Sequence, residues 1–173
     1  MTTPDYPAGE YVPDPNATPQ RRAEWIAEIE ALPAKLRALV AGLSPEQLDT
    51  KYKNWTIRQI VHHLPDSHVN AFVRFKLALT EDRPTIRPYD ESKWSELPLN
   101  RTGDIEPSLK LLESVHAVWV PTIRAMTDAD FERVYVHPEY KTVFTLGEAI
   151  GMYAHHGRHH AGQIEWRKTA NGW

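Results

Sequence analysis

A chain of 173 residues with 41% hydrophobic content can bury one sizeable core, and residues 1–173 read as a single domain. Its 20 basic and 23 acidic residues give a formal charge of -3, too little cationic field for nonspecific nucleic-acid binding. No run approaches roughly 18 consecutive apolar residues, and the start of the chain lacks the apolar core of a signal peptide, so a cytoplasmic protein without a membrane partner is expected.

Residues 1–18 carry Pro4, Pro7, Pro13 and Pro15 and read as an extended N-terminal arm laid over the body. Thr18-Pro19 opens a helix whose apolar residues Ala23, Ile26, Ile29, Leu36 and Val40 recur at helical spacing up to Gly42. Pro33 removes a backbone donor inside it, which predicts a helix in two pieces. Ser44-Pro45-Glu46-Gln47 reads as a short capped turn, and Thr56-x-x-Gln59 as a capping box opening a second helix to about Glu81, interrupted at Pro65.

Residues 82–104 hold Pro84, Pro88 and Pro98 without periodicity, a crossover long enough to let neighbouring helices run parallel. A third helix is expected from Asp104–Pro107 through Leu109, Leu112, Val115 and Trp119 to about Met126. Val134–His137 and Lys141–Phe144 alternate like a small hairpin. Thr145-x-x-Glu148 caps a fourth helix reaching about Lys168. The expected fold is all-α, a four-helix bundle with a long crossover and a small β-hairpin before the last helix.

With zero cysteines, histidine and carboxylate are the only strong metal-binding side chains, and nine histidines are available. The fourth helix contains His155-His156-Gly157-Arg158-His159-His160, two pairs at i, i+4 spacing, each able to place two imidazoles on one face. On a helical wheel the core direction runs through Leu146, Ala149, Ile150, Tyr153, Gly157, Ala161 and Ile164. His160 falls about 40° from it and His156 about 80°, whereas His159 and His155 fall about 140° and 180° away. The pair facing the core edge is therefore His156 and His160, against the plainer reading of histidines decorating a polar face.

A catalytic site of this kind needs a third ligand from another helix. The second helix offers His62, His63 and His68. The wheel puts His68 on the core face and His63 about 120° off, but Pro65 perturbs that geometry, so it does not choose between His63 and His68. Asp66 and the isolated His116 are weaker candidates.

The string Trp55-Thr56-Ile57-Arg58-Gln59-Ile60-Val61-His62-His63-Leu64, followed by His156-x-x-x-His160, resembles the DinB-like superfamily of metal-binding four-helix bundles. Within it, the chain is similar to the YfiT-like branch, regarded as metal-dependent hydrolases. Gly9-Glu10-Tyr11, Arg74-Phe75-Lys76-Leu77, Arg87-Pro88-Tyr89-Asp90, Trp94-Ser95-Glu96-Leu97 and His137-Pro138 extend the likeness over nearly the whole chain. The resemblance places the first metal histidine eight residues after the tryptophan, on His63, and the other two on His156 and His160. It also implies a homodimer, and its members include thiol-dependent transferases and isomerases. Pro65 departs from the family pattern, standing where an ordinary helix former is common.

Three neutral imidazoles would leave a divalent transition metal, zinc in first place and nickel as an alternative, with an open position and its full charge. That site would acidify a water for hydrolysis of a small molecule, or bind and deprotonate an external low-molecular-weight thiol for S-transfer. Asp66, three residues beyond His63, is near enough to orient an imidazole or act as a base. A non-catalytic, metal-stabilised bundle is a further alternative. Glu113-x-x-His116 has the form of a di-iron ligand pair, but that architecture needs two such motifs plus two more glutamates. No Gly-x-Ser-x-Gly elbow supports a serine hydrolase.

Overall fold

In the computed structural model, which describes residues 2–173, four long helices make the body. They are α1 (Pro19–Val40), α3 (Ile57–Thr80), α6 (Glu106–Arg124) and α8 (Leu146–Asn171). Short elements fill the connections: α2 (Pro45–Leu48), β1 (Lys51–Tyr52), β2 (Trp55–Thr56), α4 (Glu91–Ser95), α5 (Pro98–Thr102), α7 (Asp128–Phe131), β3 (Val134–His137) and β4 (Thr142–Thr145). The strands form two antiparallel hairpins, β1–β2 with Tyr52 opposite Trp55 and β3–β4 with Tyr135 opposite Phe144.

The long helices pack as α1–α8, α1–α6, α3–α6 and α3–α8, so α1 faces α3, and α6 faces α8, across the centre. Contacts fix their directions. Trp25 meets Gly151, Leu32 meets Gly157, and Lys168 Nζ donates to the carbonyl of Leu39, so α1 and α8 run parallel. His62 meets Ser108 and Phe75 meets Trp119, so α3 and α6 are parallel too. Arg37 with Glu106 and Arg124 with Glu30 make α1 and α6 antiparallel, and His63 with His156 and Arg74 with Tyr153 do the same for α3 and α8. The crossover that permits the parallel α3–α6 pair is pinned to β3, where Ile86 N–H donates to Val136 O and Val136 N–H to Pro84 O.

Side-chain caps fix the helix starts. Thr18 accepts from Arg21 N–H with Pro19 in the first turn, and Thr56 with Gln59 and Thr145 with Glu148 close reciprocal capping boxes. α8 stops at Gly172, whose φ of 75° is the left-handed conformation that ends a helix. Residues 2–18 contain no helix or strand; Pro7 packs on Gly162 and the Gly9 carbonyl meets His155 Nε2 at 2.9 Å.

The expected break of the first helix does not occur: α1 is continuous through a buried Pro33. Proline at 33 deprives the Ile29 carbonyl of its helical donor. His116 Nδ1–H, from α6, donates to that oxygen instead at 2.6 Å. α3 is likewise continuous through Pro65. The crossover also holds two short helices where no periodicity was visible. Asp90 caps α4 by accepting from Lys93 N–H, and Pro98 opens α5.

Candidate metal centre

His63 on α3 and His156 and His160 on α8 bring one nitrogen each to within 4.8 Å of the others. The His63 and His156 Nε2 atoms are 3.0 Å apart. Imidazole nitrogens about 2.05 Å from a tetrahedral ion stand roughly 3.3 Å from each other, so the spacing matches a shared ion. The three ring planes cross at 62°, 67° and 80°, turning separate edges toward one point.

The protonation states suit the same role. Burial pushes His63 down to about 4, with no counter-charge to offset it. Burial, followed by the neighbouring imidazoles, holds His156 and His160 well below the usual histidine range. All three are thus neutral near pH 7, with lone pairs free to coordinate. His160 Nδ1–H donates to Gln163 Oε1 at 2.8 Å, which fixes its tautomer and leaves Nε2 as the free donor atom. Gln163 is itself held by its amide, which meets His159 Nε2 at 2.9 Å. Trp55 packs on this group, its ring centroid 4.6 Å from that of His63 and 6.1 Å from that of His160.

On α8 the face that points inward selects His156 and His160. His155 and His159 stay outside the cluster, although the arm residue Tyr11 covers His155, with ring centroids 5.3 Å apart. On α3 the wheel fails for a physical reason: every residue from Ile57 to Pro65 is buried. Hairpin, crossover, α6 and α8 enclose that end of the helix on all sides, so it has no solvent face from which to measure a core direction.

The remaining candidates have other partners. His68 does not join the cluster; its Nδ1–H donates to His116 Nε2 at 2.8 Å, because His116 Nδ1–H is already given to Ile29. The His68 ring still lies beside His156, at 5.7 Å, and His68 Nε2 and His156 Nδ1 are both buried without a partner. His62 Nδ1 meets Ser108 Oγ at 2.7 Å. Asp66 accepts from Asn100 Nδ2 at 3.2 Å, and burial raises its carboxyl above the usual range. Glu113 is taken by Arg37 at 2.6 Å and assembles no second metal position with His116.

His156 also belongs to the wall of a cleft of about 770 Å³ between α3, α8, the crossover and the β3–β4 hairpin. Arg74, Tyr89, His137, Tyr140 and Tyr153 share that wall. Arg74 Nη1 donates to Tyr153 Oη at 2.9 Å, and His137 stacks on Tyr140 with centroids 4.2 Å apart. The sequence reading gave Gln163, Arg74 and Tyr153 no role at the site. A signal existed for Gln163, which follows His160 by three residues on the same helix face, and for Arg74, a cation beside the fully buried Phe75.

The chain has relatives among known proteins. The chain is 45% identical over 170 residues to a Bacillus subtilis (strain 168) protein named "Putative metal-dependent hydrolase YfiT", covering 97% of this chain and 96% of that one. A protein of Oceanobacillus iheyensis bearing the same hydrolase description is 47% identical over 161 residues, 92% of each chain. The solved structure of Bacillus subtilis YfiT, described as a probable metal-dependent hydrolase with an unusual four-helix bundle topology, superposes with a TM-score of 0.94 at 44% identity over 97% of both chains. The DinB superfamily pattern matches residues 28–164, and the chain belongs to that superfamily.

Proposed function

We propose that this chain is a metal-dependent hydrolase of small molecules, holding one divalent ion, zinc, on His63, His156 and His160. The observation that carries this reading is the position of His156, which is both a corner of the three-nitrogen cluster and part of the cleft wall. Among the described residues no fourth histidine or carboxylate joins the group, which supports a site that keeps one coordination position for water or substrate. The names of the relatives point the same way.

A bound divalent ion would supply Lewis-acid polarisation and activation of water near neutral pH. The protein's part is positional. Gln163 holds the His160 tautomer, Trp55 packs on the His63 and His160 rings, and burial keeps all three imidazoles unprotonated. Asp66, turned to Asn100, is given no proton-transfer role.

Metal analysis combined with turnover on ester and amide panels tests the proposal. One equivalent of metal and thiol-independent hydrolysis that rises with pH through an ionisation near about 7 are expected. Turnover that appears only when a small thiol is added would reassign the site to S-transfer. A folded, metal-loaded protein without metal-dependent turnover would favour a structural ion.

A further inference from the structure

Among the described residues Arg74 is a buried cation without a counter-ion. Its side chain sits on α3 in the wall of the His156 cleft, and the residue is only 9% exposed. Nη1 donates to Tyr153 Oη, but Nε is buried without a partner and, among the described residues, no carboxylate lies within ion-pair distance. Its neighbours in the cleft are Tyr89, Tyr153 and His137, all uncharged near pH 7: burial raises both phenols and lowers the imidazole. Burying a guanidinium this way is costly unless something anionic meets it.

With Nη1 committed to Tyr153 and Nε enclosed, Nη2 is the guanidinium nitrogen left to give a charge-assisted hydrogen bond to an anion such as a carboxylate. Asp90, Glu91 and Glu139 line the same cleft and Arg74 is its only cationic lining residue, so an anionic group has a single place to bind. Tyr153, the residue holding Arg74, precedes His156 by one turn of α8, about 4.5 Å along the axis. A small ligand can therefore touch both.

We propose that Arg74 is the anchor for a substrate carboxylate, so that the substrates of this protein are small carboxylate-bearing molecules whose reacting group lies at the His63–His156–His160 cluster. The orientation rests on the metal reading above; the anion subsite does not. Tyr153 is a positioning residue here, holding the guanidinium in the cleft wall through Nη1.

The test uses the metal-loaded protein and four probes: the monohydroxamates of succinate and glutarate, and their uncharged amide counterparts. The hydroxamate reports on the ion, and the far end reports on Arg74. Calorimetric titration is expected to show one carboxylate probe binding the wild type roughly tenfold tighter than its amide, the value of one charge-assisted contact. Arg74→Gln should erase that difference and leave amide binding unchanged; Arg74→Met replaces it if the Gln variant does not fold. Equal binding of acid and amide by the wild type at both lengths, or a preference that survives in the variant, overturns the proposal. If no hydroxamate binds, the open metal position fails and the subsite is decided on metal-free protein. There succinate or glutarate should raise the melting temperature of wild type but not of Arg74→Gln, and equal shifts overturn the subsite.

Discussion

His116 Nδ1 lies 2.6 Å from the Ile29 carbonyl oxygen, the acceptor that Pro33 leaves without a helical donor. A side chain from α6 thus replaces a backbone hydrogen bond of α1. His116→Ala should cost about 2–4 kcal/mol, because it orphans a buried carbonyl and opens a cavity. In a Pro33→Ala background, where residue 33 regains its N–H, the same change should cost distinctly less. Urea unfolding of the four proteins in this cycle measures the coupling, and strictly additive costs would contradict the replacement.

Acid should destabilise the metal-free protein in a defined window. Burial holds His116 and His63 at about 4 in the folded state, against about 6.5 when unfolded. Between those values the unfolded chain binds more protons, so stability is full above about pH 6.5 and is lost as pH falls toward 4. The contribution is roughly 3 kcal/mol per group at the low end. Urea midpoints measured from pH 7 to 4.5 should fall steadily, and His116→Gln should flatten the curve.

Metal content should follow the three-nitrogen cluster. His63→Ala, His156→Ala and His160→Ala should each lose the ion while keeping helical circular dichroism, since aliphatic and aromatic residues form most of the core. His155→Ala and His68→Ala should keep the metal stoichiometry, because neither joins the cluster. Elemental analysis distinguishes these outcomes.

Gln163→Leu removes the acceptor that orients His160 without touching a candidate ligand. Metal affinity should fall about 10–100-fold with little change in folding stability. A competition titration against a chromophoric chelator reads the affinity, and an unchanged value would mean that the His160 tautomer is set by something else.

Glycine at 151 should resist replacement more than glycine at 157. A Cβ at 151 would stand 2.9–3.0 Å from three atoms of the Trp25 ring, which is rigid and buried. One at 157 would meet the tip of Leu32 at 2.7 Å, and that side chain can turn away. Gly151→Ala should therefore lower stability by about 1–3 kcal/mol, outweighing the roughly 1 kcal/mol gained in helix propensity, whereas Gly157→Ala should be near neutral. Thermal unfolding ranks the two.

The long helices, the β3–β4 hairpin and the crossover were legible because their signals are local: capping boxes at Thr56 and Thr145, helical periodicity, and alternation around Pro138. His156 and His160 were legible because α8 has one inward face. His63 was not, since its end of α3 is enclosed on every side, and family resemblance alone singled it out. The unbroken α1 depends on a donor 87 residues away from Ile29, which no window along the chain can see. Arg74 and Tyr153 meet across 79 residues for the same reason. The two-residue strands β1 and β2 are too short to carry a pattern.

The helix order around the bundle also dictates when its core can close. α1 packs mainly on α6 and α8, and its parallel neighbour α8 leaves the ribosome after the other three long helices. Trp25, Ile26 and Ile29 must wait for Ala149, Ile150 and Tyr153 before that part of the core is dry. In an up-and-down bundle the first helix packs on the second as soon as that is made, whereas α1 has no long-helix neighbour before α6. Such separation between partners slows folding and leaves an amphipathic first helix exposed during synthesis, so chains truncated before α8 should aggregate rather than accumulate as a soluble three-helix intermediate.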